Sequence, residues 1–184
     1  MNLAGIMPDP GLGPNVMKTS FAIALGSNRR HGRHGSPQRV VAAALHAIEQ
    51  AGIGITARSR IRATPALGPA GRAFANAAAI IETDLAPGAL LARLKRIERD
   101  FGRRRGRRWG ARVLDLDIIL WSQGPYADRT LIVPHPEFRK RGFVLDPVAE
   151  IAGNARDPIS GATVRQLRYR LMKQSPVDRG ARRS

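Results

Sequence analysis

The residues from Val113 to Leu120 follow a period-two pattern that constrains the fold more than any other stretch of the chain. Period two predicts a β-strand with four residues on each face. One face carries Leu114, Leu116, Ile118 and Leu120, and the other carries Val113, Asp115, Asp117 and Ile119. The α-carbons of the two aspartates lie roughly 6–7 Å apart, two strand steps, so their charges repel each other unless a cation lies between them. Six arginines lie just upstream, at 103–105, 107, 108 and 112, and they indicate that a polyanion arrives with the cation. The segment therefore predicts a magnesium–polyphosphate site.

The length of 184 residues allows one domain with a substantial core and is too short for two ordinary domains. The absence of cysteine excludes disulfides and thiolate metal sites. No run approaches the ~18 apolar residues of a membrane span. Residues 1–19 are rich in glycine and proline and lack a signal-peptide pattern. We expect a disordered leader over 1–19, a single domain over 20–175, a basic flexible tail over 176–184, and a cytoplasmic location.

The net charge of +17, with a pI of about 11.8, attracts polyanions of several kinds. Most of this charge comes from arginine, whose planar guanidinium suits phosphate oxygens. Charge alone does not distinguish nucleic acid, a membrane surface or the phosphates of a nucleotide.

The order of predicted elements indicates an α+β fold. Strands are expected over 20–25, 55–62, 74–83 and 113–120, with a short strand over 130–133. Ser36 and Pro37 begin one predicted helix and Pro87 begins the other, each followed by apolar residues at helical spacing. Two further helices are expected over 143–151 and 163–172. The order β-α-β-β-α-β with a short α-rich C-terminal extension is that of a ferredoxin-like sandwich. His31, His34 and His46 are expected at the surface.

A series of short motifs occurs in order along the chain. They are Ala24-Leu25-Gly26-Ser27-Asn28, Thr64-Pro65, Leu67-Gly68-Pro69, Phe74-Ala75-Asn76-Ala77-Ala78, Arg96-Ile97-Glu98, Gly102-Arg103, Arg108-Trp109-Gly110, Arg112-x-x-Asp115-x-Asp117, Val133-Pro134-His135 and Arg139-Lys140-Arg141-Gly142-Phe143. In this order and spacing the chain resembles the 6-hydroxymethyl-7,8-dihydropterin pyrophosphokinase family. The resemblance, which extends from about Phe21 to Ile151, implies a folate-pathway enzyme that transfers diphosphate from ATP to a pterin alcohol and releases AMP.

The resemblance implies a nucleotide site around the acidic strand. Two Mg²⁺ ions would bridge the ATP phosphates and the carboxylates of Asp115 and Asp117. The residues implied in ATP binding are Glu98, Arg103, Arg105, Arg112, His135 and Arg141, and those implied in catalysis are Arg103, Arg112, Asp115 and Asp117. An ion pair with a neighbouring arginine remains an alternative role for Glu98. The segment from Gly102 to Arg108 would be a lid that closes over ATP.

The resemblance also implies a pterin pocket. Phe74 and Phe143 would stack on the two faces of the ring. Asn76 lies two residues beyond Phe74, on the same strand face, and can donate and accept hydrogen bonds at the ring edge. The remaining residues implied in pterin binding are Thr64, Pro65 and Leu67, through backbone groups, and Trp109.

Two other functions remain open at this point. An RNA-binding module would use the sheet face and the positive charge, although the strands lack closely spaced exposed aromatic residues and carry two acids. A binding protein that has lost catalysis is the second alternative, against which the aspartate pair, Arg112 and His135 argue. We expect a monomer that acts on ATP and a pterin, with no specific nucleic acid or membrane partner.

Overall fold

The computed structural model describes residues 18–64, 74–102 and 113–174. Within these ranges the chain is a mixed α/β structure with an antiparallel sheet and four α-helices. Its strands are β1 (Thr19–Ser27), β2 (Gly54–Arg58), β3 (Arg62–Thr64), β4 (Phe74–Thr83), β5 (Asp115–Trp121), β6 (Tyr126–Ala127) and β7 (Ile132–Val133). Its helices are α1 (Pro37–Gln50), α2 (Pro87–Asp100), α3 (Gly142–Ala152) and α4 (Val164–Gln174).

The main sheet has the order β2-β4-β1-β5, and β3 also pairs with β4. All of these pairings are antiparallel. Strand β1 lies in the centre, paired with β4 on one side from Thr19 to Ser27 and with β5 on the other from Phe21 to Gly26. Strands β6 and β7 form a separate small hairpin.

Helices α1 and α2 form because each has a suitable start and an apolar stripe. The hydroxyl of Ser36 accepts a hydrogen bond from the backbone N–H of Arg39, and Pro37 occupies the first turn of α1. Gly52 follows the end of α1 with φ of +80°, a conformation that glycine adopts without strain. Both helices pack on one face of the sheet, where the first core includes Phe21, Ile23, Leu25, Val41, Leu45, Ile48, Leu90, Leu94, Leu116 and Ile118.

The opposite face of the sheet is only partly apolar. Helices α3 and α4 cover one part of it and form a second core with Ala22, Ala78, Ile119, Leu120, Phe138, Val144, Leu145, Val148, Val164 and Leu167. A short 3₁₀ turn, Phe138–Lys140, leads into α3. No described helix combines the length and hydrophobicity that a bilayer crossing demands.

The prediction that Leu120 shares a face with Leu116 and Ile118 is wrong. The pairing runs from Ile23 opposite Ile118 directly to Ala22 opposite Leu120, so Ile119 is an extra residue on β5. Such a β-bulge breaks the period of two, and both Ile119 and Leu120 lie in the second core. Beyond the bulge, Trp121 returns to the first core, where its ring stacks on Phe21 with centroids 5.7 Å apart.

Other predicted boundaries also differ from the structure. The strand predicted over 55–62 is two strands, because Ser59 interrupts it: the Ser59 hydroxyl accepts the N–H of Ala78, and the Ser59 N–H donates to the Ala78 carbonyl. The strand predicted over 130–133 is reduced to Ile132–Val133.

His31 and His34 are not simple surface residues. Both are half-buried, and their rings stack on each other and lie against Phe101.

Candidate active site

Three polar or small positions line up across the sheet on the face opposite the first core. Asn76 of β4 pairs with Gly26 of β1, and Gly26 pairs with Asp115 of β5. Paired residues of neighbouring strands point to the same face, so the amide and the carboxylate project from one row. One row further, Ala24 lies between Ala78 and Asp117. The α-carbons of Asn76 and Asp115 are separated by two strand spacings, roughly 9–11 Å.

Gly26 leaves the middle of this row open. A Cβ atom on Gly26 would lie 3.4 Å from the Asn76 Oδ1 atom, at the short limit of van der Waals contact. The amide of Asn76 therefore leans over the glycine, and Asn76 itself is buried, with 8% of its surface exposed. The row thus has an amide and a carboxylate on either side of a residue that has no side chain.

The carboxylate of Asp117 lies in an unfavourable environment for a negative charge. Burial raises the pKa of Asp117 above its ordinary value, and the negative charge of Asp115 raises it further. Three positive or ionisable groups act in the opposite direction: Lys95, His135 and Arg141. These groups do not cancel the effect of burial and repulsion on Asp117, so a cation bound beside it would stabilise its charged form.

Lys95 and Glu98 of α2 protect the edge of the sheet beside the aspartates. Within the described strands β5 pairs only with β1 and has one open edge. The N–H and C=O groups of Leu116 point to this open edge. The Leu116 N–H donates to Glu98 Oε1 over 2.8 Å, and Lys95 Nζ donates to the Leu116 carbonyl over 3.0 Å. Lys95 Nζ also lies 2.6 Å from Glu98 Oε1 and 3.9 Å from Asp117 Oδ1. The two helix side chains replace a neighbouring strand and hold an ammonium group next to Asp117.

The bulge at Ile119 positions His135. The backbone N–H of His135 donates to the Ile119 carbonyl over 3.0 Å, a hydrogen bond outside the β1–β5 ladder. The Nδ1 atom of His135 accepts the N–H of Glu137 over 3.2 Å, so Nε2 carries the proton of the neutral ring. His135 and Asp117 both line a cavity of about 380 Å³, whose other lining residues are Leu91, Lys95, Ile118, Asp128, Arg129, Thr130, Leu131, Ile132 and Pro136.

The predicted aromatic residues lie at the start of two elements on this face. Phe74 begins β4 and is 38% exposed, and Phe143 is in the first turn of α3 and is 47% exposed. The guanidinium carbon of Arg141 lies 6.0 Å from the centroid of the Phe143 ring. Large apolar side chains with this exposure at the edge of a polar row are available to a ligand.

The structure therefore brings together only some of the predicted site residues. Asn76, Asp115, Asp117, His135 and Arg141 share one face of the sheet or act on its charges. Glu98 is buried beside the edge of β5, where its carboxylate accepts the N–H of Leu116. Thr64 ends β3, opposite Phe74. Six predicted residues lie outside the described ranges: Pro65, Leu67, Arg103, Arg105, Trp109 and Arg112. The predicted lid, from Gly102 to Arg108, lies outside them except for its first residue.

Sequence patterns did not indicate Lys95 or the wall of the cavity formed by residues 128–132. Lys95 precedes Glu98 by three residues on α2, a spacing that places both on one helix face. That spacing was visible in the sequence, but the destination of the ammonium group was not. Asp128 organises its own turn by accepting bonds from the backbone of Thr130 and Leu131 and the hydroxyls of Thr130 and Tyr126, which lower its pKa to about 2.

The aspartate pair is chemically suited to magnesium. Its oxygens are hard ligands, and Mg²⁺ is commonly held by one or two carboxylates together with substrate phosphates and water. In the part of the chain that the structure describes, no group of three or more His, Cys, Asp or Glu side chains could enclose a metal ion. Two carboxylates are also the number of protein ligands that Mg²⁺ commonly has when it binds substrate phosphates.

Comparison with known proteins identifies clear relatives. The family model described as 7,8-dihydro-6-hydroxymethylpterin-pyrophosphokinase matches residues 22–153. The 2-amino-4-hydroxy-6-hydroxymethyldihydropteridine pyrophosphokinase of Methylorubrum extorquens is 39% identical over 83% of this chain and 94% of the relative. The enzymes of the same name from Haemophilus influenzae and Bacillus subtilis are 41% and 40% identical, over 83% and 85% of this chain and 90% and 92% of the relatives.

A solved structure shares the fold. The wild-type HPPK-DHPS of Plasmodium falciparum superposes with a TM-score of 0.65 and 12% identity, over 85% of this chain. The chain spans 42% of that longer protein, so this likeness concerns the fold of one part of it.

Proposed function

We propose that the polar row of the sheet is the active site of this chain, which belongs to the 7,8-dihydro-6-hydroxymethylpterin-pyrophosphokinase family. The protein is an ATP-dependent diphosphotransferase of folate biosynthesis. It moves diphosphate from ATP to the hydroxymethyl group of 6-hydroxymethyl-7,8-dihydropterin and releases AMP. What remains to be assigned is which side chains carry out the reaction.

The observation that carries the assignment is the row Asn76–Gly26–Asp115. It provides a hydrogen-bonding amide at one end, a carboxylate at the other and, between them, a residue without a side chain. A pterin ring lying over Gly26 directs its polar edge to Asn76 and its hydroxymethyl group toward the aspartates. The acceptor oxygen would then lie beside Asp115, near the residues that would hold the triphosphate.

Asp115 and Asp117 are the magnesium ligands in this assignment, in keeping with their hard oxygens and mutual repulsion. When bound there, Mg²⁺ would neutralise charge on the phosphate oxygens. Lys95, His135 and Arg141 surround Asp117 with positive or ionisable groups, and they are the described residues suited to contact phosphate oxygens. Arg103, Arg105 and Arg112 join them as proposed ligands of the triphosphate.

The cavity beside Asp117 is the proposed site for the nucleoside of ATP. Its apolar walls, which suit a base, are formed by Leu91, Leu131, Ile132 and Pro136. Lys95 and Asp117 also line the cavity. Glu98 contributes by fixing Lys95 and the backbone of β5. On the other side of the row, Phe74 and Phe143 are the proposed stacking faces for the pterin, with Thr64, Pro65, Leu67 and Trp109 completing the pocket.

The reaction requires neither a strong protein base nor a protein nucleophile. The hydroxymethyl oxygen attacks the β-phosphorus of ATP, the bond from that phosphorus to the bridging α,β-oxygen breaks, and AMP departs with no covalent enzyme intermediate. Phosphoryl transfer depends mainly on positioning and on stabilising charge. Asn76 and the two phenylalanines orient the acceptor, whereas the cationic side chains stabilise the phosphate oxygens and help exclude water.

We also assign the chain a ferredoxin-like arrangement. The four long strands in the order β2-β4-β1-β5, with α1 and α2 on one face, support this arrangement, and α3 and α4 form the C-terminal extension. We further propose that the protein is a cytoplasmic monomer with residues 20–175 as its single domain.

Turnover by the purified chain tests the function directly. With ATP, Mg²⁺ and 6-hydroxymethyl-7,8-dihydropterin, we expect AMP and the pterin diphosphate to form in equal amounts, and no AMP without the pterin. ATP hydrolysis that is independent of the pterin, or pterin and ATP binding without AMP release, would contradict the assignment. A protein that binds RNA with sequence preference at physiological salt and shows no turnover would instead support the RNA-binding alternative.

A further inference from the structure

Glu150 of α3 connects that helix to the strand beside the pterin-edge residue. Its Oε2 atom accepts a hydrogen bond from the Arg62 guanidinium over 2.7 Å. Its Oε1 atom accepts the backbone N–H of Arg60 over 3.0 Å and lies 3.4 Å from Arg60 Nε. Both oxygens of one carboxylate are therefore committed to the segment from Arg60 to Arg62, which lies 88–90 residues away in sequence. We call this set of contacts the Glu150 link.

The strand end of the link adjoins the proposed pterin pocket, and the helix end lies on the helix that carries Phe143. Arg62 pairs directly with Asn76 across β3 and β4, so the two side chains point to the same face of the sheet. Two residues later, Thr64 pairs with Phe74. On the helix, Glu150 follows Phe143 by seven residues, which is close to two full turns and places both on one side of α3, roughly 10 Å apart along the axis.

We propose that Glu150 is a positioning residue for pterin binding: it holds the helix that carries Phe143 against the strand pair that carries Phe74 and Asn76. A stacking pocket needs its two aromatic faces at a defined separation, since dispersion contacts weaken within less than 1 Å of added gap. The second core packs against α3 along its length, and the Glu150 link joins the C-terminal turn of the helix to β3 and to the residues just before it. The inference rests on the proposed function of this face.

The link also controls a charge beside the pterin edge. A guanidinium opposite Asn76 would be free to compete for its amide oxygen if nothing else held it. The carboxylate of Glu150 draws the Arg62 guanidinium toward α3 instead. In keeping with these contacts, the hydrogen bonds from Arg62 and Arg60 lower the pKa of Glu150 below its ordinary value, so the carboxylate is ionised at neutral pH.

A second ion pair on the same helix provides a matched control. Asp146 of α3 accepts a hydrogen bond from the Nε atom of Arg168 on α4 over 2.5 Å. This pair also joins α3 to another element through a carboxylate and a guanidinium, but it contacts neither β3 nor β4. Asp146→Ala therefore removes a similar contact from α3 and leaves the Glu150 link intact.

The test compares Glu150→Ala, Arg62→Ala and Asp146→Ala with the full-length wild-type chain. Binding of the pterin and of a non-hydrolysable ATP analogue is measured by calorimetry, and KM and kcat are measured for the pterin. We expect Glu150→Ala and Arg62→Ala each to raise the pterin Kd and KM about tenfold, with kcat at saturating pterin and the analogue Kd unchanged. The double variant should be no worse than either single variant, and Arg62→Lys should recover part of the affinity.

Three results would overturn the proposal: a pterin Kd within twofold of wild type in both link variants, an equal loss for pterin and ATP analogue, or the same loss in Asp146→Ala. If Glu150→Ala melts below the assay temperature, Arg62→Ala decides, because Arg62 is 45% exposed and its removal leaves the helix intact. Wild-type protein that fails to bind the pterin would overturn the proposed function as well, whereas normal wild-type binding with unaffected variants overturns the Glu150 link alone.

Discussion

The two faces of the sheet are formed by the same strands and differ in almost every other respect. Under α1 and α2, the central strand β1 presents Phe21, Ile23 and Leu25, none more than 1% exposed. On the other face the same strand presents Ala22, Ala24 and Gly26. The first face is apolar through the middle of the sheet, whereas the second changes from a small apolar core under α3 and α4 to the polar row of Asn76 and Asp115.

This difference shows how one sheet supports both stability and chemistry. Because side chains alternate, large residues on one face place no constraint on the size or polarity of the other. The first core buries most of the bulky side chains and stabilises the strands. The second face can therefore carry two carboxylates that repel each other and two aromatic rings that remain exposed. We expect changes to the first face to affect stability and changes to the polar row to affect function.

The largest expected effect separates the two faces most sharply. Asp115→Asn or Asp117→Asn should lower Mg²⁺-dependent AMP release on the order of 10²–10³-fold, by analogy with removal of other groups that stabilise transition-state charge. An amide is a poor substitute for an anionic metal ligand. The melting temperature should stay the same or rise, because the substitution relieves repulsion and burial of charge at Asp117. Near-normal turnover in either variant would exclude the metal assignment, and a lower melting temperature would contradict the division between the faces.

The second effect concerns the covered end of the site face, where a charge pair contributes to stability. Asp157 is buried and accepts bonds from Arg139 and Ser160. Burial opposes its ionisation, but these hydrogen bonds outweigh burial and lower the pKa of Asp157 to about 2 from 3.8. The folded-state pKa lies below the unfolded value, so the contribution, about 2 kcal/mol, is present above pH 4 and lost as the pH falls through 2.

Acid unfolding monitored by circular dichroism checks this expectation. The difference in unfolding free energy between wild type and Asp157→Asn should be largest above pH 4 and shrink toward pH 2. A difference that does not change with pH would show that the ion pair does not titrate as described.

A third effect, of similar size, tests the residues proposed to bind the pterin. Phe143→Ala should weaken pterin binding by about 1–3 kcal/mol, as for loss of one stacking face, and leave ATP binding unchanged. Asn76→Ala should cost a similar ~1–3 kcal/mol, because a polar ring edge loses its partner. Calorimetry in the presence of a non-reactive ATP analogue measures both. Equal losses for pterin and nucleotide would mean that the pocket is misplaced.

The smallest expected effect lies on the apolar face. Ile23→Val removes one methyl group from a fully buried position of β1 and should lower the free energy of unfolding by about 0.5–1.5 kcal/mol. Turnover per folded molecule should not change, since the neighbouring Gly26 and Ala24 face the other way. Denaturant titration and the AMP assay measure the two quantities, and a fall in turnover with unchanged stability would contradict the separation of the faces.

Much of this division was predictable from local pattern. Ser36 and Pro37 predicted the start of α1, and the alternation around Asp115 and Asp117 predicted that both carboxylates share a strand face, because caps and strand periods depend on residues close in sequence. The family resemblance, now supported by the family match, could also be recognised from the order of the motifs. The pterin and phosphate roles of individual residues stay predictions.

Other features were decided only by the tertiary structure. The bulge at Ile119 moves Leu120 to the second core and directs the Ile119 carbonyl to the N–H of His135. The period-two pattern of β5 does not predict this bulge. Lys95 is fixed by the exposed edge of β5, and Glu150 by a segment about ninety residues away. Each of these contacts joins elements that are distant in sequence, so its partner exists only once the sheet is assembled. A local pattern specifies which way a side chain points, whereas packing determines what it meets there.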